Sequence, residues 1–128
     1  MSENIKKTIL VVEDETPLRT AISGILSSEG FTVFEASNGQ EGLDCARKEH
    51  PDLILLDQMM PVMDGLMVLE KLREDEGWGK SVKVVFLTNS SDDNNVSKAT
   101  EGGVSYFLIK SDWDIADVVK KIKEQLNL

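Results

Sequence analysis

Apolar and polar positions divide this chain into ten alternating segments. Residues 8–12 are β-branched and aliphatic, and they stop abruptly at the acidic triplet Glu13-Asp14-Glu15. Such a run predicts a strand followed by a loop. Thr16 before Pro17 fits an N-cap and a first helical position. Leu18, Ala21, Ile22, Ile25 and Leu26 then recur at helical spacing until Gly30 ends the run. Residues 31–36 read as a short second strand. Asn38, with Glu41 three residues on, opens a second helix that carries Leu43, Cys45 and Ala46 and ends before Pro51, with His50 as its C-terminal cap. Residues 53–56, Leu-Ile-Leu-Leu, show no alternation at all, as expected of a strand covered on both faces of a parallel sheet.

The pattern continues to the end of the chain. Leu66, Val68, Leu69 and Leu72 place a third helix over 65–73, broken by residues 76–79. Residues 82–87 and 105–109 read as strands four and five. The acidic and amide residues 92–95 suit a helix N-terminus, yet few apolar residues support that helix up to Gly102, so it is expected to be the most mobile. Ser111 with Asp114 suggests a capping box for a last helix whose Ile115, Val118, Val119, Ile122 and Leu126 share one face. Five strands alternating with five helices imply an α/β domain. Its sheet is expected to be a doubly wound, five-stranded parallel sheet of the flavodoxin-like strand order 2-1-3-4-5, with its switch point between strands one and three. A single domain over 1–128, with no separate output domain, is the expectation.

Composition narrows the classes. A 41% hydrophobic and 29% charged chain with no long apolar run fits a soluble protein rather than a membrane one. The first residues lack the apolar region of a signal peptide, so a cytoplasmic location is expected. A net charge of −9 argues against sequence-independent nucleic-acid binding, which needs clustered cations. One Cys and one His make a transition-metal site unattractive, and Cys45 reads as a small core residue.

The candidate chemistry lies where strands end. Open parallel sheets gather ligands at the carboxyl ends of their strands. Those ends carry Glu13 and Asp14 after strand one, Asp57 after strand three, Thr88 after strand four and Lys110 after strand five. Three carboxylates at one edge would raise a pKa or recruit a hard cation such as Mg²⁺. A lysine and a hydroxyl opposite them would bind phosphoryl oxygens, so Asp57 could act as a nucleophile and form an aspartyl phosphate. Asp64-Gly65 reads instead as turn chemistry, and the methionines at 59, 60, 63 and 67 as packing.

With these residues in place the chain resembles the receiver domain of bacterial two-component response regulators, of the stand-alone type. The resemblance rests on Val11-Val12-Glu13-Asp14-Glu15, on residues 51–57 ending in Asp57, on Met60-Pro61-Val62-Met63-Asp64-Gly65, on Phe86-Leu87-Thr88 and on Tyr106-Phe107-Leu108-Ile109-Lys110. It implies phosphorylation of Asp57 by a sensor histidine kinase or a phosphotransfer protein. Mg²⁺ would be held by Asp14, Asp57 and the main-chain carbonyl of Met59, with Glu13 assisting. Lys110 would pair with the phosphate, Thr88 would move to hydrogen-bond it, and Tyr106 would turn inward. Those movements would change the surface of the fourth helix, the fifth strand and the last helix (the α4-β5-α5 face of the family), where a downstream target protein would bind. The implied protein is a switch with only auto-phosphotransfer and auto-dephosphorylation activity, a monomer or a phosphorylation-dependent dimer. The chain differs from the usual pattern at Ser111, where the family commonly has Pro, and at Asn89, where it commonly has a very small residue.

Two rivals carry opposing signals. A phosphatase of the haloacid dehalogenase group would want Asp two residues after Asp57, and position 59 is Met. A flavin-binding module would want hydroxyls and glycine in its first loop, where Glu13-Asp14-Glu15 would repel a phosphate.

Overall fold

The computed structural model describes residues 7–58, 60, 63–75, 77–88, 100–104, 106–109 and 114–128. Five parallel strands, β1 (Thr8–Val12), β2 (Thr32–Ala36), β3 (Leu53–Asp57), β4 (Lys83–Thr88) and β5 (Tyr106–Ile109), pair in the order β2-β1-β3-β4-β5. Each crossover from one parallel strand to the next needs a connection across a face of the sheet. Among the described residues these connections hold α1 (Thr16–Ser28), α2 (Gly39–Glu49), α3 (Gly65–Glu74) and a four-residue helix, α4 (Trp78–Ser81), and α5 (Ile115–Gln125) follows β5.

Alternation along the strands sorts the core into two layers. Leu10, Val12, Ile54, Leu56, Val84 and Phe86 face α2 and α3, where Leu43, Ala46, Val68, Leu69 and Leu72 meet them. Ile9, Val11, Leu53, Leu55, Val85 and Leu87 face α1 and α5, against Ile22, Leu26, Val118, Val119 and Ile122. Burial on both faces is why β1 and β3 read as unbroken apolar runs. Each such side chain contributes roughly 1.5–3 kcal/mol through its removal from water. The edge strand β2 is less buried, and Glu35 faces solvent there.

Local chemistry sets the helix ends, in three places differently from expectation. α1 begins one residue early: Thr16 is already helical, Glu15 is the N-cap, and the Arg19 amide donates to the Glu15 carbonyl at 2.9 Å. The Glu15 amide is taken by Glu13 Oε2 at 3.1 Å, so the turn is closed from the acidic loop rather than by a Thr16 cap. Asn38 caps α2 as expected, accepting from the Glu41 amide at 2.9 Å, but Glu41 reaches back to the amide and hydroxyl of Ser37 (3.1 and 2.9 Å). The capping box of α5 joins Asp114 and Asp117, one turn beyond the expected Ser111–Asp114 pair, because the helix starts at Ile115.

The stretch read as a breaker at 76–79 contains the start of α4. Trp78 stacks on His50 at 4.5 Å and donates Nε1–H to the Pro51 carbonyl at 3.2 Å, against the end of α2. His50 is the left-handed C-cap of α2 (φ 48°), with its amide on the Ala46 carbonyl. The helix expected over 92–102 lies outside the described residues up to 99, as do Asn89, Lys110, Ser111 and Trp113; Thr100 and Glu101 are helical.

Candidate functional site

Register brings the acidic residues together. Val12 pairs with Leu56, so the next residues, Glu13 and Asp57, leave the sheet side by side at its carboxyl edge. The Glu13 amide continues the ladder to the Ala36 carbonyl of β2 (3.1 Å), and the Gln58 amide continues it to Leu87 of β4 (2.9 Å). Glu13 and Asp57 are 0% and 1% exposed, whereas Asp14 lies nearer to solvent. One carboxylate oxygen from each of Glu13, Asp14 and Asp57 lies within 4.8 Å of the other two. Three hard oxygen donors this close concentrate negative charge in a largely buried place. A small divalent cation that takes oxygen ligands and keeps several waters fits that donor set.

The chain after Asp57 folds back tightly. The Gly65 amide donates to the Gln58 carbonyl at 3.1 Å, and Asp64 caps α3 by accepting from the Met67 amide at 2.9 Å, the turn role expected for it. A Cβ on Gly65 would stand 2.5 Å from the Asp57 carbonyl oxygen, and one on Gly39 would stand 2.0 Å from that of Met63. Only glycine permits these approaches of α3 to the end of β3, and of α2 to the loop. Met60 and Met63 are buried in the α2–α3 layer, in keeping with packing, while Met67 is exposed.

Thr88 ends β4 at the same edge, half-buried, in register with Ile109 and one residue beyond Leu87, the partner of Asp57. Tyr106 is not brought to that edge. It pairs with Val85, three residues further back, roughly 10 Å along the strand. Its half-buried ring lies against the α1–α5 layer with Lys121 Nζ 5.0 Å from its centroid. Contact with Tyr106, then with Glu124, pushes the Lys121 pKa up. Met59 and Lys110 fall outside the described residues.

Comparison with known proteins decides the family. The model of the response regulator receiver domain matches residues 9–123. The chain belongs to the response regulator receiver family. Receiver domains are phosphoacceptors in two-component signalling, switches rather than classical enzymes. The chain is 32% identical to sporulation initiation phosphotransferase F of Bacillus subtilis, over 91% of this chain and 94% of that protein. It is 36% identical to transcriptional regulatory protein SrrA of Staphylococcus aureus over 92% of this chain, and spans about half (47%) of that relative. A CheY-like receiver domain protein from Methanospirillum hungatei superposes with a TM-score of 0.87 at 30% identity, covering 95% of this chain and 94% of that one. Among the described residues no helix is long and apolar enough to cross a membrane.

Sequence reasoning found the acidic trio and missed two side chains placed in its neighbourhood. Gln58 is 5% exposed, and its Oε1 has no hydrogen-bond partner among the described residues. Arg19 extends over the acidic loop and donates Nη1–H to the Glu13 carbonyl at 2.8 Å. A helical arginine and an amide after Asp57 carry no signal of either placement until the chain is folded.

Proposed function

We propose that this receiver takes a phosphoryl group on Asp57 from a sensor histidine kinase or a phosphotransfer protein, in a Mg²⁺-dependent reaction, and that the modification controls binding of a downstream protein. The observation that carries the reading is the carboxylate trio, with Asp57 almost wholly buried at the end of β3. A carboxylate oxygen of Asp57 attacks phosphorus. The bond from phosphorus to the donor nitrogen breaks, and its electron pair remains on the donor imidazole. Glu13, Asp14 and Asp57, with the Met59 carbonyl supplied by the family pattern, would hold Mg²⁺, which when bound neutralises charge on the transferring oxygens. Burial keeps bulk water from Asp57 and strengthens the electrostatics of the site.

Lys110 pairs with the phosphate in this reading, and Thr88, at the same edge, donates its hydroxyl to it. Tyr106 then repacks, and the surface of β5 and α5, with the fourth helix of the family pattern, changes shape for its target. The half-buried position of Tyr106 supports this, since a ring neither fully packed nor fully free has somewhere to go. The name of the phosphotransferase relative supports relay to or from another protein, and a cytoplasmic setting goes with such donors.

Intact mass after incubation with acetyl phosphate tests the reading. Wild type should gain one phosphoryl group only with Mg²⁺ present, and Asp57→Asn should gain none. An unmodified wild type, under conditions that label a control receiver, refutes it.

A further inference from the structure

We propose that Arg19 is a positioning residue for the acidic trio, clamping the Glu13 main chain so that the Glu13 and Asp14 carboxylates are presented together to a divalent cation. The inference rests on the site reading above and adds a residue that the reading does not use. Arg19 projects from the first turns of α1, and its side chain is only 16% exposed. Nη1 donates to the Glu13 carbonyl at 2.8 Å, Nε to Glu35 Oε1 on β2 at 3.3 Å, and Nη2 to Thr16 Oγ1 at 3.4 Å. The three donors of one planar guanidinium thus join the end of β1, the start of α1 and the edge strand. The Glu13 carbonyl belongs to the peptide that links Glu13 to Asp14, so its orientation sets where the Asp14 side chain leaves the backbone. Glu13 Oε2 accepts from the Glu15 amide at 3.1 Å, closing the same short loop from inside. A rigid fork suits this task, and the compact ammonium of lysine cannot reproduce it.

The sign of the effect separates a clamp from a bystander. A cation beside a cation site repels the incoming ion, so removing a bystander would leave Mg²⁺ affinity unchanged or tighten it. Removing a clamp weakens it, because partners that orient metal ligands are typically worth about 10- to 100-fold in affinity.

Calorimetric titration of Mg²⁺ into the full chain, paired with thermal unfolding, reads this directly. Arg19→Gln should weaken Mg²⁺ binding by about tenfold, and Arg19→Lys, which keeps the charge and loses the fork, should also weaken it. Arg47→Gln, which removes the remote Arg47–Asp75 pair, should leave affinity unchanged. Arg19→Lys carries the test alone if Arg19→Gln does not fold. Unchanged or tighter binding in the folded Arg19 variants overturns the proposal, even where their unfolding temperature falls. Asp14→Asn separates the two readings. If it abolishes binding while the Arg19 variants bind normally, only the clamp fails. If it binds as wild type does, or wild type takes no Mg²⁺, the site reading fails and the clamp with it.

Discussion

Gly65→Ala probes how closely α3 is seated on the phosphoacceptor strand. The added methyl would stand 2.5 Å from the Asp57 carbonyl oxygen, 3.0 Å from Gln58 Cα and 3.2 Å from the Asp57 carbonyl carbon. Carbon–oxygen contacts ordinarily stop at about 3.3 Å, so the helix start or the end of β3 must yield by about 0.8 Å. The obstructing atoms are backbone, held by the Gln58-to-Leu87 and Gly65-to-Gln58 hydrogen bonds, and cannot rotate away as a side-chain tip would. Alanine gains up to about 1 kcal/mol of helix propensity over glycine, less at a first helical position. Overpacking costs typically about 1–3 kcal/mol, and strain on the 3.1 Å Gly65 hydrogen bond adds about 1 kcal/mol. The balance is a loss of about 1–4 kcal/mol, read as a lower urea midpoint at unchanged slope. Because the crowded backbone atoms belong to Asp57 and part of the adjustment falls on them, phosphorylation by acetyl phosphate should slow, by up to about 100-fold, the usual consequence of displacing a reacting group by an ångström. A Gly65→Ala protein as stable as wild type, or phosphorylated at the wild-type rate, would refute the reasoning.

Two further outcomes follow from buried groups. Gln58→Met removes an amide oxygen that is buried without a partner among the described residues, so it should be neutral or stabilise the fold by up to about 1 kcal/mol in urea unfolding; a loss would mean that the amide serves a contact. Burial, with Glu49 nearby, pushes the Cys45 thiol up, so iodoacetamide should alkylate the folded protein more slowly than the urea-unfolded one, with its rate profile displaced to higher pH. Since the folded value is the raised one, the stability tied to the protonated thiol is intact below the unfolded value and is lost as pH rises through the folded one.

Much of the site was legible because its chemistry is local. An apolar run ending in Asp57, another ending in Glu13-Asp14, and a third ending in Thr88 can each be read along the chain, since a strand buried on both faces leaves its period-free signature. The receiver motif then joined them without coordinates. The helix ends were less legible. Glu15 has no cap side-chain bond and Thr16 looked the better cap, yet Glu13 had already taken the Glu15 amide. Asp114 served as the cap of α5 rather than as its third residue, a shift of one turn. Such ends are decided by which donor is free once neighbouring segments are in place.

What the sequence determined by itself is the order and type of elements, the parallel sheet and the residues at its carboxyl edge, because hydrophobic period and strand-end chemistry act between near neighbours in the chain. Tertiary structure decided the distances. Only register could set Glu13 beside Asp57, and only the packing of α3 and α2 could require glycine at 65 and 39. Arg19 reached the acidic loop, and Trp78 reached His50, through space rather than along the chain. Contacts between residues far apart in sequence depend on the summed twist and packing of whole elements, and no short stretch of the chain encodes that sum.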